Sequence, residues 1–412
     1  MRYSDLFGKT SRDFPKEEVA LNAKLLLKAG FIDKLMSGSY TLLPLGFRVK
    51  EKIESIIREE INLTGGEEIL MPLLHPKNIW NETGRWESAK EVMYQFKKDE
   101  KEFALSFTHE EIVLDLVRKR LSSYKDLPIK IYHFSTKFRN EPRAKSGILR
   151  AREFLMKDLY SLHTSQEDLD KYYFQVADAY KKIFKRFGFN VKVVDAAGGV
   201  FTENVTHEFQ VLAKDGEDTI FYCNKCDFGQ NKEIAKVKAG DKCPKCPSAS
   251  SGQVGKIEEG KAIEVGNIFR FGTVYSEKMN VTYADKNGEK KFAYLGSYGI
   301  GVTRVIGTIV ELSSDDKGII WPKEVAPFSV HLVGLNQKAE GVYEKLKGNK
   351  IDILFDDREV SAGEKFSDAD LIGIPVRLVV SDKTGDKIEW KERLSDKVEL
   401  LTVDEVLKKL GV

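Results

Sequence analysis

The chain has 412 residues, 42% of them hydrophobic and 32% charged, which supports a buried core and two or three domains and excludes a disordered polyelectrolyte. Lys and Arg number 66 against 64 Asp and Glu, a net charge of +2, so no global field marks a nucleic-acid partner and any such surface must be a local patch. The opening Met1-Arg2-Tyr3-Ser4-Asp5 lacks a signal-peptide core and no apolar run reaches membrane-spanning length, which points to a soluble cytoplasmic protein with no membrane partner.

In chain order, residues 15–30 read as a helix, with Pro15 at its first position and Gly30 at its stop. A second helix is expected over 47–61, where Ile53, Ile56, Ile57 and Ile61 recur at helical spacing before Gly65-Gly66. Glu68 to Pro72 reads as a short strand. Thr108 suits the N-cap of a third helix continued by Ile112, Val113, Leu116, Val117 and Leu121. Ile129–Arg139 and Phe154–Leu162 read as two strands joined by a polar turn, a hairpin. Thr164-Ser165-Gln166-Glu167 reads as a capping box opening a helix to Phe187, and Asn190–Val194 as a strand. The Lys-, Gly- and Ser-rich stretch 227–260 looks like a small insertion. After Trp321–Pro327, strands at 329–335, 351–355, 376–381 and 387–391 mix with helices at 340–346 and 403–410, a small α/β domain.

Three segments carry chemistry. Phe138-Arg139-Asn140-Glu141 and Arg150-Ala151-Arg152-Glu153-Phe154 place Arg139 and Arg150 on either side of the hairpin turn. Two guanidinium groups so placed can grip a polyphosphate, and Phe154 offers a face for a base. Taken alone, the segment fits an exposed charged hairpin equally well. Gly296-Ser297-Tyr298-Gly299-Ile300-Gly301-Val302-Thr303-Arg304 lets a strand turn straight into a helix whose first turn carries Arg304. It matches neither the Walker nor the dinucleotide fingerprint. Glu67 to Pro72, after an amphipathic helix, is the third.

In this order the three segments match the signatures of class II aminoacyl-tRNA synthetases. The chain most resembles their bacterial-type prolyl members, through Ala29-Gly30-Phe31-Ile32, Tyr40 to Gly46, Thr108-His109-Glu110-Glu111, Arg150 to Asp158, His207-Glu208-Phe209-Gln210 and Asp356 to Pro375. The resemblance implies an α+β fold: an antiparallel sheet flanked by helices, split as residues 1–222 and 261–322, an insertion at 223–260 and an anticodon-binding α/β domain at 323–412. It implies ATP, Mg²⁺, L-proline and tRNA(Pro) as reactants and partners, and a homodimer joined through the first segment. Arg139 and Arg304 would be catalytic. Arg139, Glu141, Arg150, Phe154 and Arg304 would bind ATP; Thr108, Glu110, Arg139, His207, Ser297 and Gly299 would bind proline. Thr108 and Glu110 suit a secondary ammonium, which offers two N–H donors and a positive charge. Each also fits a plainer part, Thr108 as a cap and Glu110 as a first-turn acid.

Two departures stand out: Asn267 and Arg270 replace the family's His and Gln, and Ser106-Phe107 its Gly-Pro. The interval between the second and third segments is also too short for the family's large editing domain. Discrimination against alanine by missing methylenes is worth only about 1–3 kcal/mol, so the reading implies mischarging and a separate trans-editing protein. The stub instead holds Cys223, Cys226, Cys243 and Cys246, two Cys-x-x-Cys pairs about 16 residues apart. These read as a zinc ribbon with a closed structural Zn²⁺ site, redox pairs or free thiols being the alternatives. Rival readings of the whole are a non-catalytic synthetase paralogue, a zinc-ribbon nucleic-acid binder, and a class II enzyme for another amino acid such as threonine.

Overall fold

A computed structural model describes residues 1–14, 18–142, 144, 146–199, 201–202, 205–246 and 255–412. The expected helix start at Pro15 lies outside these. The chain forms two compact units: Glu54–Ala144 with Leu149–Val305, and Met1–Ile53, a short piece ending at Ile148, and Ile306–Val412.

The first unit is built on a nine-stranded sheet. Its strands are β1 (Glu67–Glu68), β2 (Ile129–Phe138), β3 (Glu153–His163), β4 (Val191–Ala196), β5 (Thr206–Leu212), β6 (Asp218–Cys223), β7 (Gly229–Asn231), β8 (Ile257–Gly272) and β9 (Tyr294–Gly301), in the order β5-β4-β7-β6-β8-β9-β3-β2-β1 with a further β5–β8 pairing. All ladders are antiparallel except β1–β2 and the single β4–β7 pairing. Strand β8 is 16 residues long and serves β6 with its first part and β5 with its second, while β9 lies along its other edge.

Helix α1 (Glu110–Arg118) and helix α2 (Gln166–Arg186) cover opposite faces. Val113, Leu114 and Val117 of α1 pack on Tyr160, Leu162, Phe269, Phe271 and Leu295, all buried. On the other face, Tyr173 of α2 accepts no solvent, its hydroxyl donating to the Ile268 carbonyl at 3.2 Å, and Lys157 reaches the Tyr180 hydroxyl at 2.5 Å. Adjacent residues on a strand therefore belong to different environments. Helix α3 (Val302–Leu312) follows β9 without a loop, as the glycine-rich segment led us to expect.

In the second unit a helix runs over Leu21–Lys28 and stops at Gly30, whose φ is +73°. The C-terminal part forms a five-stranded sheet of β10 (Val330–Gly334), β11 (Ile353–Asp356), β12 (Val376–Val380), β13 (Ile388–Glu392) and β14 (Val398–Leu401), ordered β11-β10-β12-β13-β14. β10 is parallel to both neighbours and the other pairs are antiparallel. A helix at Ala362–Ile372, closed by Gly373 at φ +78°, and strand β14 had no clear signal in the sequence.

Local expectations fail in three places. The strand expected over Glu68–Pro72 is only the two-residue β1. Thr108 does not cap α1: the residue before the helix is His109, and the Thr108 hydroxyl donates to Glu110 instead. The cap of α2 is Ser165, accepting from the Asp168 amide at 3.2 Å, one residue later than the expected Thr164.

Candidate active site

On the α1 face, alternate residues of neighbouring strands line up. β2 and β3 register as His133 opposite Asp158, Ser135 opposite Met156 and Lys137 opposite Phe154; β9 places Ser297 beside Tyr160 and Gly299 beside Asp158. A Cβ at Gly299 would lie 2.9 Å from the Met156 Cε and 3.0 Å from the Asn267 Oδ1, so a larger residue there would crowd these two side-chain ends on the floor. Lys137 is buried against Asp158 at 2.5 Å, and desolvation lowers its pKa. The lysine and the neighbouring His133 hold the Asp158 carboxyl far below the usual range against the opposing effect of burial.

Thr108, Glu110 and Ser297 meet at one end of this floor. Glu110 accepts from Thr108 Oγ1 at 2.5 Å and from Ser297 Oγ at 3.2 Å. Behind it stands Arg85, which sequence reasoning passed over. Its guanidinium lies 4.8 Å from the centre of the Phe107 ring and 5.1 Å from that of Phe201, donating to Glu110 at 3.2 Å and to both oxygens of Glu111 at 3.1 Å. Burial works against its charge, but Glu111 and Glu110 raise its pKa above the ordinary arginine value. One arginine thus faces two buried carboxylates. Arg85 reaches both Glu111 oxygens and Glu110 through one nitrogen, Nη1, and by charge Glu110 is the acid left over. Burial, opposed by Arg85, pushes the Glu111 carboxyl up. Phe201 packs tilted between Phe107 and Phe269, ring centres 6.3 and 5.4 Å apart, a wall of aromatic rings beside Arg85.

Toward the other end lie the three expected arginines. Arg139 follows β2, with its guanidinium 5.2 Å from the centre of the Phe154 ring. Its Nε is buried with no hydrogen-bond partner, and burial together with the positive charge of Arg304 lowers its pKa. Arg304 donates Nε to the Leu149 carbonyl at 2.8 Å and pairs with Glu264 at 3.3 Å. Arg150 pairs through Nε with Glu141 at 2.7 Å. These contacts bring Arg139, Phe154 and Arg304 into one region, with Arg150 and Glu141 joined at its edge.

Two acids adjoin them that the sequence did not single out. Burial pushes the Glu208 carboxyl up to about 8, reinforced by Glu264, and the Glu264 carboxyl is likewise raised by burial. Glu208 had a sequence signal only as a member of His207-Glu208-Phe209-Gln210, and Glu264 only as a neighbour of Asn267.

His207 is not brought to the Glu110 group. It lies on the α2 face, its Nδ1 2.6 Å from the Tyr173 hydroxyl and its Nε2 3.3 Å from Asp195. The two departures also separate. Asn267 faces the floor and donates to Glu264 at 2.9 Å, whereas Arg270 faces α2, 4.6 Å from the centre of the Tyr173 ring and 3.1 Å from Asp170. Ser106 and Phe107 serve as a backbone tie, Oγ to the Thr136 carbonyl at 3.0 Å, and as the aromatic seat of Arg85.

The four cysteines form a separate cluster. Cys223 and Cys246 sulfurs are 3.5 Å apart, Cys226 and Cys243 sulfurs 3.6 Å, and all four lie within 4.8 Å of one another.

Comparison with known proteins agrees with this geometry. Residues 94–313 match the class II tRNA synthetase core domain (G, H, P, S and T), and residues 325–411 match an anticodon binding domain. The sheet, its arginines and these matches define a class II aminoacyl-tRNA synthetase. Relatives are close: the proline–tRNA ligase of Halothermothrix orenii is 33% identical over 565 positions, covering 99% of this chain and 98% of that protein. That of a Geobacillus species is 34% identical over 558 positions, covering 99% and 98%. The chain belongs to the proline–tRNA ligase family. In fold it is similar to Cryptosporidium parvum prolyl-tRNA synthetase solved with halofuginone and AMPPNP (TM-score 0.77, 17% identity, 95% of this chain and 76% of that one). It is likewise similar to the Giardia lamblia enzyme solved with prolyl-adenylate (TM-score 0.76, 19% identity, 94% and 75%).

Proposed function

We propose that this enzyme activates L-proline with ATP on the floor described above and transfers the prolyl group to the 3′ end of tRNA(Pro). The observation that carries the reading is a buried acid left over at one end, Glu110, and at the other a half-buried arginine, Arg139, whose buried Nε has no hydrogen-bond partner. Such a site lacks a cation at the first place and an anion at the second, and a proline zwitterion with ATP supplies both.

Glu110 and Thr108 hold the secondary ammonium, with Ser297 and Gly299 beneath it. Arg139 faces the proline carboxylate and the α-phosphate. A carboxylate oxygen attacks the α-phosphorus, the bond to the bridging oxygen of the β-phosphate breaks, and pyrophosphate leaves with that electron pair. A terminal ribose hydroxyl of tRNA then attacks the prolyl carbonyl, and AMP departs. Arg304 and Arg150 take the outer phosphates, Phe154 stacks on adenine, and Glu141 orients Arg150 beside it. The protein's contribution is position and fixed charge, with no covalent enzyme intermediate. Arg85 acts through Glu110.

Glu208 and Glu264 suit Mg²⁺: hard oxygen donors whose burial disfavours their charge until a cation arrives. Bound there, Mg²⁺ would offset phosphate charge. The cysteine cluster suits Zn²⁺, since four sulfurs 2.3 Å from one ion are about 3.8 Å apart.

A homodimer is supported by exposed apolar side chains around the first segment, Leu63, Leu70 and Leu74, at 79, 81 and 51% exposure. Cytoplasmic location fits the absence, among the described residues, of a helix able to cross a membrane. The 565-position alignment exceeds the 412 residues here, so well over a hundred positions of it have no counterpart in this chain. That gap supports an enzyme without an editing domain that depends on a trans-editing protein; purified enzyme that hydrolyses alanyl-tRNA unaided would refute this. Pyrophosphate exchange across all twenty amino acids tests the main reading: proline should dominate, with alanine the strongest of the others. Exchange that is independent of proline would end it.

A further inference from the structure

The stub that carries the cysteines is stitched into the catalytic sheet. Strand β7, only three residues long, lies five residues after Cys226 at its far end and pairs Ile220 with Asn231, Phe221 with Gln230 and Tyr222 with Gly229. So short a ladder, with the single Gln230–Asp195 pairing to β4 on its other side, has little support of its own. The turn leading into it is fixed by the Cys223 amide donating to the Phe228 carbonyl at 2.9 Å. The other arm of the stub returns to β8: the Cys243 amide donates to the Gly255 carbonyl at 2.8 Å, and Cys223 registers opposite Ile257. Gly255 is where the backbone passes the sulfurs, since a Cβ there would lie 2.4 Å from the Cys223 Sγ. A metal on the four sulfurs would therefore clamp together the roots of β6, β7 and β8, and β8 carries Glu264.

The buried amide of Asn231 gives this clamp a chemical target. Its Nδ2 donates to Glu208 Oε2 at 3.1 Å, and Gln210 Nε2 donates to the same oxygen at 2.9 Å while also reaching Asp218 at 2.8 Å. Two amide donors on one oxygen fix the rotation of the carboxylate and favour its charged form. They leave the other oxygen available for a cation.

We infer that Asn231 is a positioning residue for the nucleotide's metal: seated by Zn²⁺ on Cys223, Cys226, Cys243 and Cys246, it orients Glu208 to receive Mg²⁺, so that the zinc stub sets the affinity for Mg·ATP. This rests on Glu208 being a Mg²⁺ ligand, as proposed above.

The test uses full-length protein and equilibrium binding of Mg·ATP and of proline, with zinc content measured on the same samples. Native protein should hold one zinc per chain. Asn231→Ala should weaken Mg·ATP binding about tenfold, leave proline binding within about twofold, and be relieved by raised Mg²⁺, as expected for one lost hydrogen bond to a charged group. Stripping zinc with a chelator should weaken Mg·ATP binding at least as much, and Asn231→Ala should then add little, the non-additivity of two changes acting on one link. Native protein without zinc overturns the inference. So does Asn231→Ala with unchanged Mg·ATP affinity, or with equal losses for proline and Mg·ATP, which marks a general structural defect. Full additivity of the variant and zinc removal also overturns it. Glu208→Gln separates the two levels: if it leaves Mg·ATP binding intact, the Mg²⁺ reading itself fails. If it weakens binding while Asn231→Ala does not, only the link to the stub fails.

Discussion

Replacing Glu110 with glutamine should weaken proline binding severely while leaving the fold as stable as before, or more so. The carboxylate takes hydrogen bonds from Thr108 at 2.5 Å, Ser297 at 3.2 Å and Arg85 at 3.2 Å. After the exchange Arg85 retains both oxygens of Glu111 at 3.1 Å, so no charge is stranded. What disappears is one negative charge facing the site assigned to proline's ammonium. Two unit charges about 3 Å apart attract by roughly 5–6 kcal/mol at an effective dielectric constant of about 20. Desolvation offsets part of this, and truncating one partner of a buried charge pair costs about 2–5 kcal/mol in measured cases. Taking about 3 kcal/mol, the KM for proline should rise on the order of a hundredfold. The KM for ATP should barely change, and the Tm should hold or rise because the opposition between Glu110 and Glu111 is gone. Proline-dependent pyrophosphate exchange at varied proline and varied ATP, beside calorimetry, decides it. An unchanged proline KM, a loss confined to ATP, or a Tm lowered by several degrees would show that Glu110 is merely a member of a structural ion pair.

Arg139→Met should cut kcat for exchange about 10²–10³-fold, the scale of losing one preorganised donor to developing charge. Its Tm should not fall, since the native Nε is buried without a hydrogen-bond partner; a kcat within tenfold of wild type would remove Arg139 from the chemistry. For Glu208, the folded carboxyl keeps its proton to about 8 against an ordinary value of 4.5. Between those pH values the folded state binds more protons than the unfolded one, so this group's contribution makes stability fall as pH rises. Tm measured across that window should decline less in Glu208→Gln, and less in wild type with Mg²⁺ added; identical slopes in all three would contradict the assignment. In the other unit, Gly373→Ala combines a φ of +78° with a Cβ 1.9 Å from the Ile319 carbonyl oxygen. Such strain should cost about 2–4 kcal/mol, read from urea unfolding, and a loss below about 1 kcal/mol would mean the turn relaxes freely.

Local periodicity revealed most of the elements. The hairpin of β2 and β3, the long α2 and four of the five C-terminal strands lie within a residue or three of their expected limits. The segment at Glu68–Pro72 misled because an apolar stretch ending in proline reads as a strand, yet only its first residue, Glu68, finds a ladder partner. Thr108 misled because a hydroxyl before a helix can either accept from the helix amides or donate to a nearby acid, and here it donates to Glu110. The arginines at 139, 150 and 304 were legible because motif order ties them to strand ends. Arg85 was not, since Gly84-Arg85-Trp86-Glu87 has the appearance of a surface turn and its burial arises from Phe107 and Phe201, both distant in sequence. His207 shows the converse limit: one step along a strand reverses the face, so the same motif points its histidine at α2 while Glu208 turns toward Glu264 on the other face.

The antiparallel meeting of Cys223 with Ile257 puts the departure and return points of the stub on neighbouring rungs, about 5 Å apart. The chain between Cys223 and Ile257 leaves and re-enters through a doorway whose width is set by that pairing. Lengthening such a loop costs only about 0.6 kcal/mol per doubling. A longer or shorter stub at this doorway therefore leaves the catalytic floor in place, provided some clasp keeps the doorposts together.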